Sequence, residues 1–178
     1  MKRLRFADNS STAGFTILEV LVVMIIVGVL MSIAAPDWIA YLNNRRVTTV
    51  RDEVKQVLEE AQNRARSERQ SKTVTINIAD PLPTLSISST ASTASAGDQR
   101  VLGGEGIREE MIALSTPGGS NTLTFDYQGL VDDSATLPFI IEVAPGNIGG
   151  KKRCVIVATI LGSITTGDEN ECNTSGWQ

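Results

Sequence analysis

The chain has 178 residues, 42% of them hydrophobic and 20% charged, with no histidine and only two cysteines. This length suits one domain of ordinary size with an appended segment. The lack of histidine excludes Ser-His-Asp and Cys-His catalysis and His-ligated zinc, and two cysteines are too few for an all-thiolate zinc site or an iron–sulfur cluster. The net charge of −4 is unevenly distributed, because residues 73–178 carry five basic against twelve acidic side chains. Such an acidic region argues against nucleic-acid binding.

An apolar run follows a short basic segment at the N-terminus. Lys2, Arg3 and Arg5 precede residues 15–35, in which Glu19 is the one charged side chain. A helix of that length rises roughly 31 Å, close to the thickness of the hydrocarbon core of a bilayer. The flanking basic residues predict a cytoplasmic N-terminus and an exported remainder.

Three interpretations of this run are open. It is a plain signal anchor, or a secretory signal that is cut before Ala35, where Ser32 and Ala34 are small residues of the kind that signal peptidase accepts. The third interpretation gives Glu19 a function. A carboxylate in a hydrocarbon-spanning helix costs on the order of 2.5–3.5 kcal/mol, and an ordinary anchor or signal peptide has no use for one near its start.

The segment AGFTILEVLVV, residues 13–23, resembles the class III signal of type IV prepilins and type II secretion pseudopilins. The resemblance implies cleavage between Gly14 and Phe15, N-methylation of Phe15 and retention of Glu19 in the mature chain. It also implies that Glu19 of an incoming subunit pairs with the Phe15 amine of its neighbour, and such pairing lowers the cost of two isolated charges at membrane depth. Gly28 and Pro36 match the same pattern, and a helix kink is expected at these positions.

An amphipathic pattern continues after Pro36. Apolar residues recur at spacings of three and four, which predicts a stalk helix over residues 37–71. The apolar stripe consists of Val47, Val50, Val54, Val57, Leu58, Ala61 and Ala65. Trp38 and Tyr41 fall where the helix would leave a bilayer. They either lie in the membrane interface or pack against the globular part, and the sequence leaves both possibilities open.

The remaining residues, 72–178, are predicted to form a β-rich head. Alternating or dense apolar runs predict strands over 74–78, 123–127, 137–143 and 154–160, with weaker candidates at 84–87, 107–114 and 163–166. The expected fold class is therefore α+β, with a long transmembrane-plus-amphipathic helix packed on a mostly antiparallel β-sheet.

Cys154 and Cys172 enclose seventeen residues in the part that is predicted to be exported, where disulfides persist. We predict a disulfide between them that stabilises the fold by about 3 kcal/mol, and two unpaired thiols are the alternative. Lys151-Lys152-Arg153 could contact phosphate and Asp132-Asp133 could hold calcium, but both segments read more simply as solvated turns. No metal site and no cofactor are predicted.

The order of the pieces in the head is similar to that of GspH/FimT-like minor pilins. A helix ending in EEAQNRARSERQSKTVTI is followed by NTLTFDYQGLV and then by RCVIVATILGSITTG. DNA-binding members of that family carry a Gly-Arg-x-Arg stretch after the last strand. This chain has Gly162-Ser163-Ile164-Thr165 there, without either arginine, so the resemblance does not extend to that site.

The resemblance implies a type IV pilin fold with a cleaved leader over 1–14, a transmembrane helix over 15–36, a stalk over 37–71 and a head over 72–178 closed by the C-terminal disulfide loop. It implies a structural subunit without an active site, which helps to initiate or cap a type IV pilus or a type II secretion pseudopilus. The expected partners are a prepilin peptidase and N-methyltransferase, the major pilin and other minor pilins, a membrane assembly platform and inner-membrane lipid.

The expected location is the bacterial inner membrane, crossed once with the head in the periplasm, and then the filament. Two alternatives remain, a DNA-binding minor pilin of a DNA-uptake pilus and a signal-anchored periplasmic protein.

Overall fold

The computed structural model describes residues 14–78, 82–89, 98–104, 108, 111–146 and 150–172, without the side chains of residues 34–37. The elements are α1 (Ile17–Glu68), β1 (Lys72–Asn77), β2 (Thr84–Ser89), β3 (Gln99–Val101), β4 (Ile112–Ser115), β5 (Thr122–Phe125), β6 (Phe139–Pro145), β7 (Arg153–Val157) and β8 (Ile164–Asp168). The chain divides into two compact units, Met1–Trp38 and Ile39–Gln178.

In the first unit, every described side chain from Phe15 to Ile33 is exposed. Within the described residues, no helix taken singly is long and apolar enough to cross a bilayer, whereas the two helical pieces Ile17–Ile33 and Trp38–Glu68 meet that criterion as a pair. The membrane span over residues 15–36 therefore stays a prediction.

The helix α1 ends at Glu68, three residues before the predicted boundary at residue 71. Arg69 adopts the left-handed conformation with φ of 53°, and the N–H of Gln70 donates a hydrogen bond of 3.2 Å to the carbonyl of Ala65. This is the Schellman arrangement, which satisfies a free carbonyl of the last turn and stops the helix. Residues 70 and 71 then lead into β1.

The apolar stripe predicted on the stalk is the centre of the core in the second unit. All seven of its side chains are buried, none more than 1% exposed. They form one hydrophobic cluster with side chains from both sheets, including Val74, Leu85, Leu123, Phe125, Phe139, Ile141, Val143, Val155 and Val157. Helix α1 thus buries one face against the sheets, as the three-and-four periodicity predicts.

The strands form two four-stranded antiparallel sheets, in the orders β3-β2-β1-β5 and β4-β6-β7-β8. The antiparallel pairing is as expected, but the head contains two sheets where one was expected. The strand predicted over 123–127 ends at Phe125, because the Asp126 carboxylate accepts hydrogen bonds of 2.8 Å from the N–H groups of Gln128 and Leu130 and closes a turn. The runs 137–143 and 154–160 form strands over Phe139–Pro145 and Arg153–Val157. One of the weaker strand candidates, residues 107–114, overlaps β4, which begins at Ile112. Residues 107, 109 and 110 lie outside the described residues.

Candidate functional site

The start of α1 carries the predicted processing site. Gly14, Phe15 and Thr16 precede the helix in non-helical backbone, and the Phe15 side chain is 81% exposed. The hydroxyl of Thr16 accepts a hydrogen bond of 3.2 Å from the N–H of Glu19, so Thr16 is the N-cap residue. The bond between Gly14 and Phe15 therefore lies outside the helix, in accessible backbone of the kind that proteases cleave.

Thr16 was missed as a functional candidate. Thr16-Ile17-Leu18-Glu19 has the spacing of a capping box, a Ser or Thr followed three residues later by Glu or Gln, so the signal is present in the sequence. The residue determines where the helix begins, and with that the backbone conformation at the predicted cleavage site.

Glu19 lies in the first turn of α1, and its side chain is exposed. A carboxylate is favoured at this end of a helix by the helix dipole. Every ion pair among the described residues lies at or beyond Arg51, so Glu19 has no cationic partner in the described part of its own chain. The carboxylate is thus available to a group from another molecule.

Gly28 and Pro36 both lie within α1. The space where a Cβ of Gly28 would stand is open, with no heavy atom within 4 Å, and the side chain of Pro36 falls outside the described residues. The kink expected at these positions stays a prediction.

Near the C-terminal end of α1, two helix side chains hold two loops of the head. Nε2 of Gln62 donates to the carbonyl oxygens of Gly129 at 2.9 Å, Gly162 at 3.2 Å and Leu161 at 3.4 Å, and Nε of Arg66 donates to the carbonyl of Gln128 at 3.0 Å. These loops follow β5 and β7, and they contain the segments that carry the resemblance to GspH/FimT-like pilins. Tyr127, Ile160 and Leu161 are exposed there.

The predicted disulfide joins Cys154 on β7 to Cys172, with 5.6 Å between the Cα atoms. Both cysteines are buried and form a second apolar cluster with Ile140 and Ile156. In sequence, Ile140 and Ile156 alternate with Ile141, Val155 and Val157 of the main core, so this cluster lies on the other face of the same sheet. The disulfide therefore ties the end of the described chain to that face.

The remaining predicted candidates are the acidic pair that begins at Asp132, the basic segment 151–153 and the segment Gly162–Thr165. The Asp132 carboxylate accepts hydrogen bonds from the hydroxyl and the N–H of Ser134, which close the turn. These bonds, the hydroxyl's first, lower the pKa of Asp132 below its usual value. No group of three or more acidic, cysteine or histidine side chains in the described ranges is arranged to hold a metal ion. Lys151, Lys152 and Arg153 line a cleft of about 350 Å³ opposite the acidic segment 168–171. Of the segment Gly162–Thr165, the first two residues lie in the turn before β8, and Ile164 and Thr165 are the first two residues of that strand.

Comparison with known proteins supports the N-terminal motif and the fold. Residues 9–35 match the model of the prokaryotic N-terminal methylation motif. A crystal structure of the type IV minor pilin FimU of Pseudomonas aeruginosa PAO1 is similar at a TM-score of 0.53 and 16% identity, covering 75% of this chain and 97% of that one. The chain has the type IV pilin fold. FimU in a second crystal form is 18% identical over 71% of this chain and 97% of that one, at a TM-score of 0.49. No curated protein sequence matches the chain.

The chain therefore combines the prokaryotic N-terminal methylation motif, at the start of α1, with an α+β fold of the type IV pilin kind. The motif implies processing by a prepilin peptidase and assembly with other pilins, and it suggests a membrane-anchored protein that is incorporated into a filament. The features described above connect this motif to individual residues: Gly14 and Phe15 at an accessible bond, Thr16 as N-cap and Glu19 as an exposed carboxylate.

Proposed function

We propose that this protein is a minor pilin or pseudopilin of the GspH/FimT-like kind, a structural subunit without an active site. It is cut between Gly14 and Phe15, methylated on the new amine of Phe15, and built into a type IV pilus or a type II secretion pseudopilus, where it helps to initiate or cap assembly. The observation that carries the proposal is the methylation motif at the exposed start of α1 in a chain with the pilin fold.

The proposed role of Glu19 follows from the chemistry of that start. Cleavage creates an ammonium group on Phe15, and Glu19 lies about one helical turn further along the same chain. Glu19 has no cationic partner among the described residues, and an isolated carboxylate or ammonium group is costly in an apolar environment. A contact between Glu19 of one subunit and the Phe15 amine of the next removes both costs and sets the axial register of the two helices.

The proposed location is the bacterial inner membrane, with residues 15–36 as the anchor and the head outside the cytoplasm. The apolar side chains of residues 15–33 support this proposal, because they are exposed in the single chain and need lipid or neighbouring helices to cover them. The intramolecular disulfide also supports an oxidising compartment for the head.

The deciding experiment is mass spectrometry of the N-terminus of the chain isolated from the membrane fraction of cells that contain a prepilin peptidase. We expect a chain that begins with N-methylated Phe15. A Gly14→Val variant is the control, because a branched side chain directly before the cut should block processing and leave the leader attached. A wild-type chain that begins at Ala35, or one that keeps residues 1–14, would contradict the proposal.

A further inference from the structure

We propose that Arg45, Arg46 and Lys151, here called the basic cluster, bind the phosphate groups of anionic phospholipids on the membrane surface from which the head emerges. The inference rests on the proposed membrane anchor over residues 15–36 and adds to it a specific lipid contact of the head. The partner is a lipid surface that carries negative charge, such as one containing phosphatidylglycerol.

The first observation is that no member of the basic cluster is paired with a carboxylate, whereas seven other cations of the head are. Among the described residues, Arg66, Arg69 and Arg108 also take part in no ion pair. The ion pairs are Arg51 with Asp52, Lys55 with Glu59, Arg64 with Glu60 and Asp98, Lys72 with Glu68, Arg100 with Glu60, Lys152 with Glu142, and Arg153 with Asp168. Within the described ranges, Arg45, Arg46 and Lys151 take part in none of them, although Lys151 lines the cleft opposite the acidic segment 168–171. The Arg46 guanidinium instead donates to the side-chain oxygen of Asn43 at 3.2 Å, so its charge is not neutralised.

The second observation is a long-range contact that assembles the cluster. The side-chain oxygen of Asn44 accepts a hydrogen bond of 2.8 Å from the N–H of Lys151, across 107 positions in sequence. Gly150 packs in the same place, because a Cβ added there would stand 3.3 Å from Asn44 Oδ1 and 3.1 Å from Pro145 Cγ. The loop before β7 is thereby held at the level of the helical turn that carries Arg45 and Arg46.

The third observation concerns the position of this turn along α1. Residue 45 follows residue 36, the last residue of the proposed anchor, by only nine positions in sequence. Side chains on a helix lean toward its N-terminus, so the two arginines point back along their own part of α1, and long cationic side chains of this kind can extend to a headgroup layer from a residue close to a membrane. Tyr41 is 57% exposed and lies four positions before Arg45, on the same side of the helix.

Lipid fits these observations better than an acidic surface of another protein subunit. An exposed tyrosine next to unpaired arginines, just beyond an apolar helix, is the arrangement typical of a membrane–water interface. The bulk of the head is acidic, with a net charge of −7 over residues 73–178, so an anionic membrane repels it and attracts the basic cluster. The charge distribution therefore favours one orientation of the head on the membrane.

The test is the lipid preference of the full chain reconstituted in phosphatidylcholine bilayers, measured by electron spin resonance with spin-labelled phosphatidylglycerol and phosphatidylcholine. The variant Arg45→Gln/Lys151→Gln removes two cations of the cluster. The matched control, Lys55→Gln/Arg69→Gln, removes one cation roughly 15 Å further along α1 and one just past the end of that helix, both beyond a Debye length of about 8 Å at physiological salt. The leader is common to all the chains, so its basic residues contribute equally.

We expect wild type and control to prefer phosphatidylglycerol equally, and the cluster variant to lose that preference by about fivefold or more in low salt, since one cation at an anionic surface contributes roughly fivefold. The difference between the variants should vanish at about 1 M salt. An unchanged preference in the cluster variant overturns the proposal, and it is also the result expected if the cations bind acidic subunits. A chain that immobilises no lipid of either kind would contradict the membrane anchor itself, which distinguishes failure of the proposed function from failure of this inference.

Discussion

The side-chain amide of Gln62 donates a hydrogen bond of 2.9 Å to the carbonyl oxygen of Gly129, which lies 67 positions later in the chain. The same nitrogen reaches the carbonyls of Gly162 and Leu161, so one side chain of α1 satisfies backbone groups of two loops. The adjacent backbone of these loops is joined by a hydrogen bond of 2.8 Å from the N–H of Val131 to the carbonyl of Ile160. Helix and loops at this end of the head are therefore expected to unfold together.

Replacement of Gln62 by Leu should lower the free energy of unfolding by about 1–3 kcal/mol, because the part-buried carbonyls lose their donor while the apolar volume is kept. Urea unfolding of the full chain in mild detergent measures the change. Gln56→Leu is the control, since Gln56 is exposed on the same helix and should change stability by less than about 0.5 kcal/mol. Equal stability of the two variants would show that the Gln62 contacts contribute nothing.

Replacement of Gly162 by Ala should destabilise the head more than replacement of Gly119 by Ala. Both glycines have positive φ, of 72° and 76°, but a Cβ on Gly162 would overlap Gln62 Nε2 and stand 3.1 Å from the carbonyl oxygen of Gly129, whereas the space at Gly119 is open. We expect a loss of about 1 kcal/mol from backbone strain alone at Gly119 and about 2–4 kcal/mol at Gly162. Thermal unfolding of both variants provides the comparison, and the reverse order would contradict the contact geometry.

The disulfide should stabilise the head by about 3 kcal/mol, the value expected for closing a loop of this length in the unfolded chain. The variant Cys154→Ala/Cys172→Ala should unfold at correspondingly lower urea. A reducing agent should destabilise the wild type by a similar amount and leave the double variant unchanged. Thiol labelling of folded, non-reduced wild type should find neither cysteine reactive, and labelling of both would argue against the bond.

The free energy of unfolding at acidic pH should depend on Glu68. The ammonium group of Lys72 donates to the Glu68 carboxylate at 2.5 Å, and this hydrogen bond lowers the pKa of Glu68 from its ordinary value of 4.5. A carboxyl with a lowered folded-state pKa contributes stability above its unfolded pKa and loses that contribution as the pH falls through the folded value.

The Glu68→Gln variant should therefore be less stable than wild type at pH 7, and the gap should close as the pH falls below about 4.5. Urea unfolding of both proteins across this range measures the gap. The same comparison in a Lys72→Met background is the control, because without the ammonium group the substitution should show much less pH dependence. A gap that is constant with pH would contradict the assignment.

Glu19→Ala should leave the head intact and impair assembly. Unfolding of the head should match wild type, because Glu19 is exposed and far along the chain from the core residues 47–65. Incorporation into sheared filaments, measured against the membrane-bound pool, should fall at least tenfold, which equals about 1.4 kcal/mol of assembly free energy. Glu59→Ala is the control for removal of an exposed carboxylate on the same helix, and normal incorporation of Glu19→Ala would contradict the proposed register contact.

The helix and its buried stripe could be predicted from the sequence because both depend on local periodicity. All seven stripe residues are buried, and the predicted strands occur with shifted ends. The division into two sheets could not be predicted, because strand order depends on pairing between distant segments, such as β1 with both β2 and β5. Strand β3 was missed because its residues, Gln99–Val101, are all exposed and show no alternation.

The candidate site also has features that the sequence predicts and one that it does not. The residues around the predicted cleavage point, Gly14 to Glu19, and the single pairing available to two cysteines are visible in the sequence alone. The basic cluster is not, because Lys151 stands in an acidic region of the sequence and meets the turn of Arg45 only through its contact with Asn44. The net charge of a sequence segment cannot reveal the basic cluster, because the cluster depends on a contact between distant segments.

The central position of the stripe has a consequence for the timing of folding. If the chain is exported from its N-terminus, Val47 to Ala65 emerge well before Leu123, Phe125 and Val155, against which they pack in the core. Val74 and Leu85 follow the stripe closely, but the partners on β5 to β7 arrive only after some sixty to ninety further residues, so part of the apolar face of the helix stays uncovered during that interval. Closure of the bond between Cys154 and Cys172 comes later still, so oxidation of this pair in a pulse-labelled chain would mark the completion of head folding.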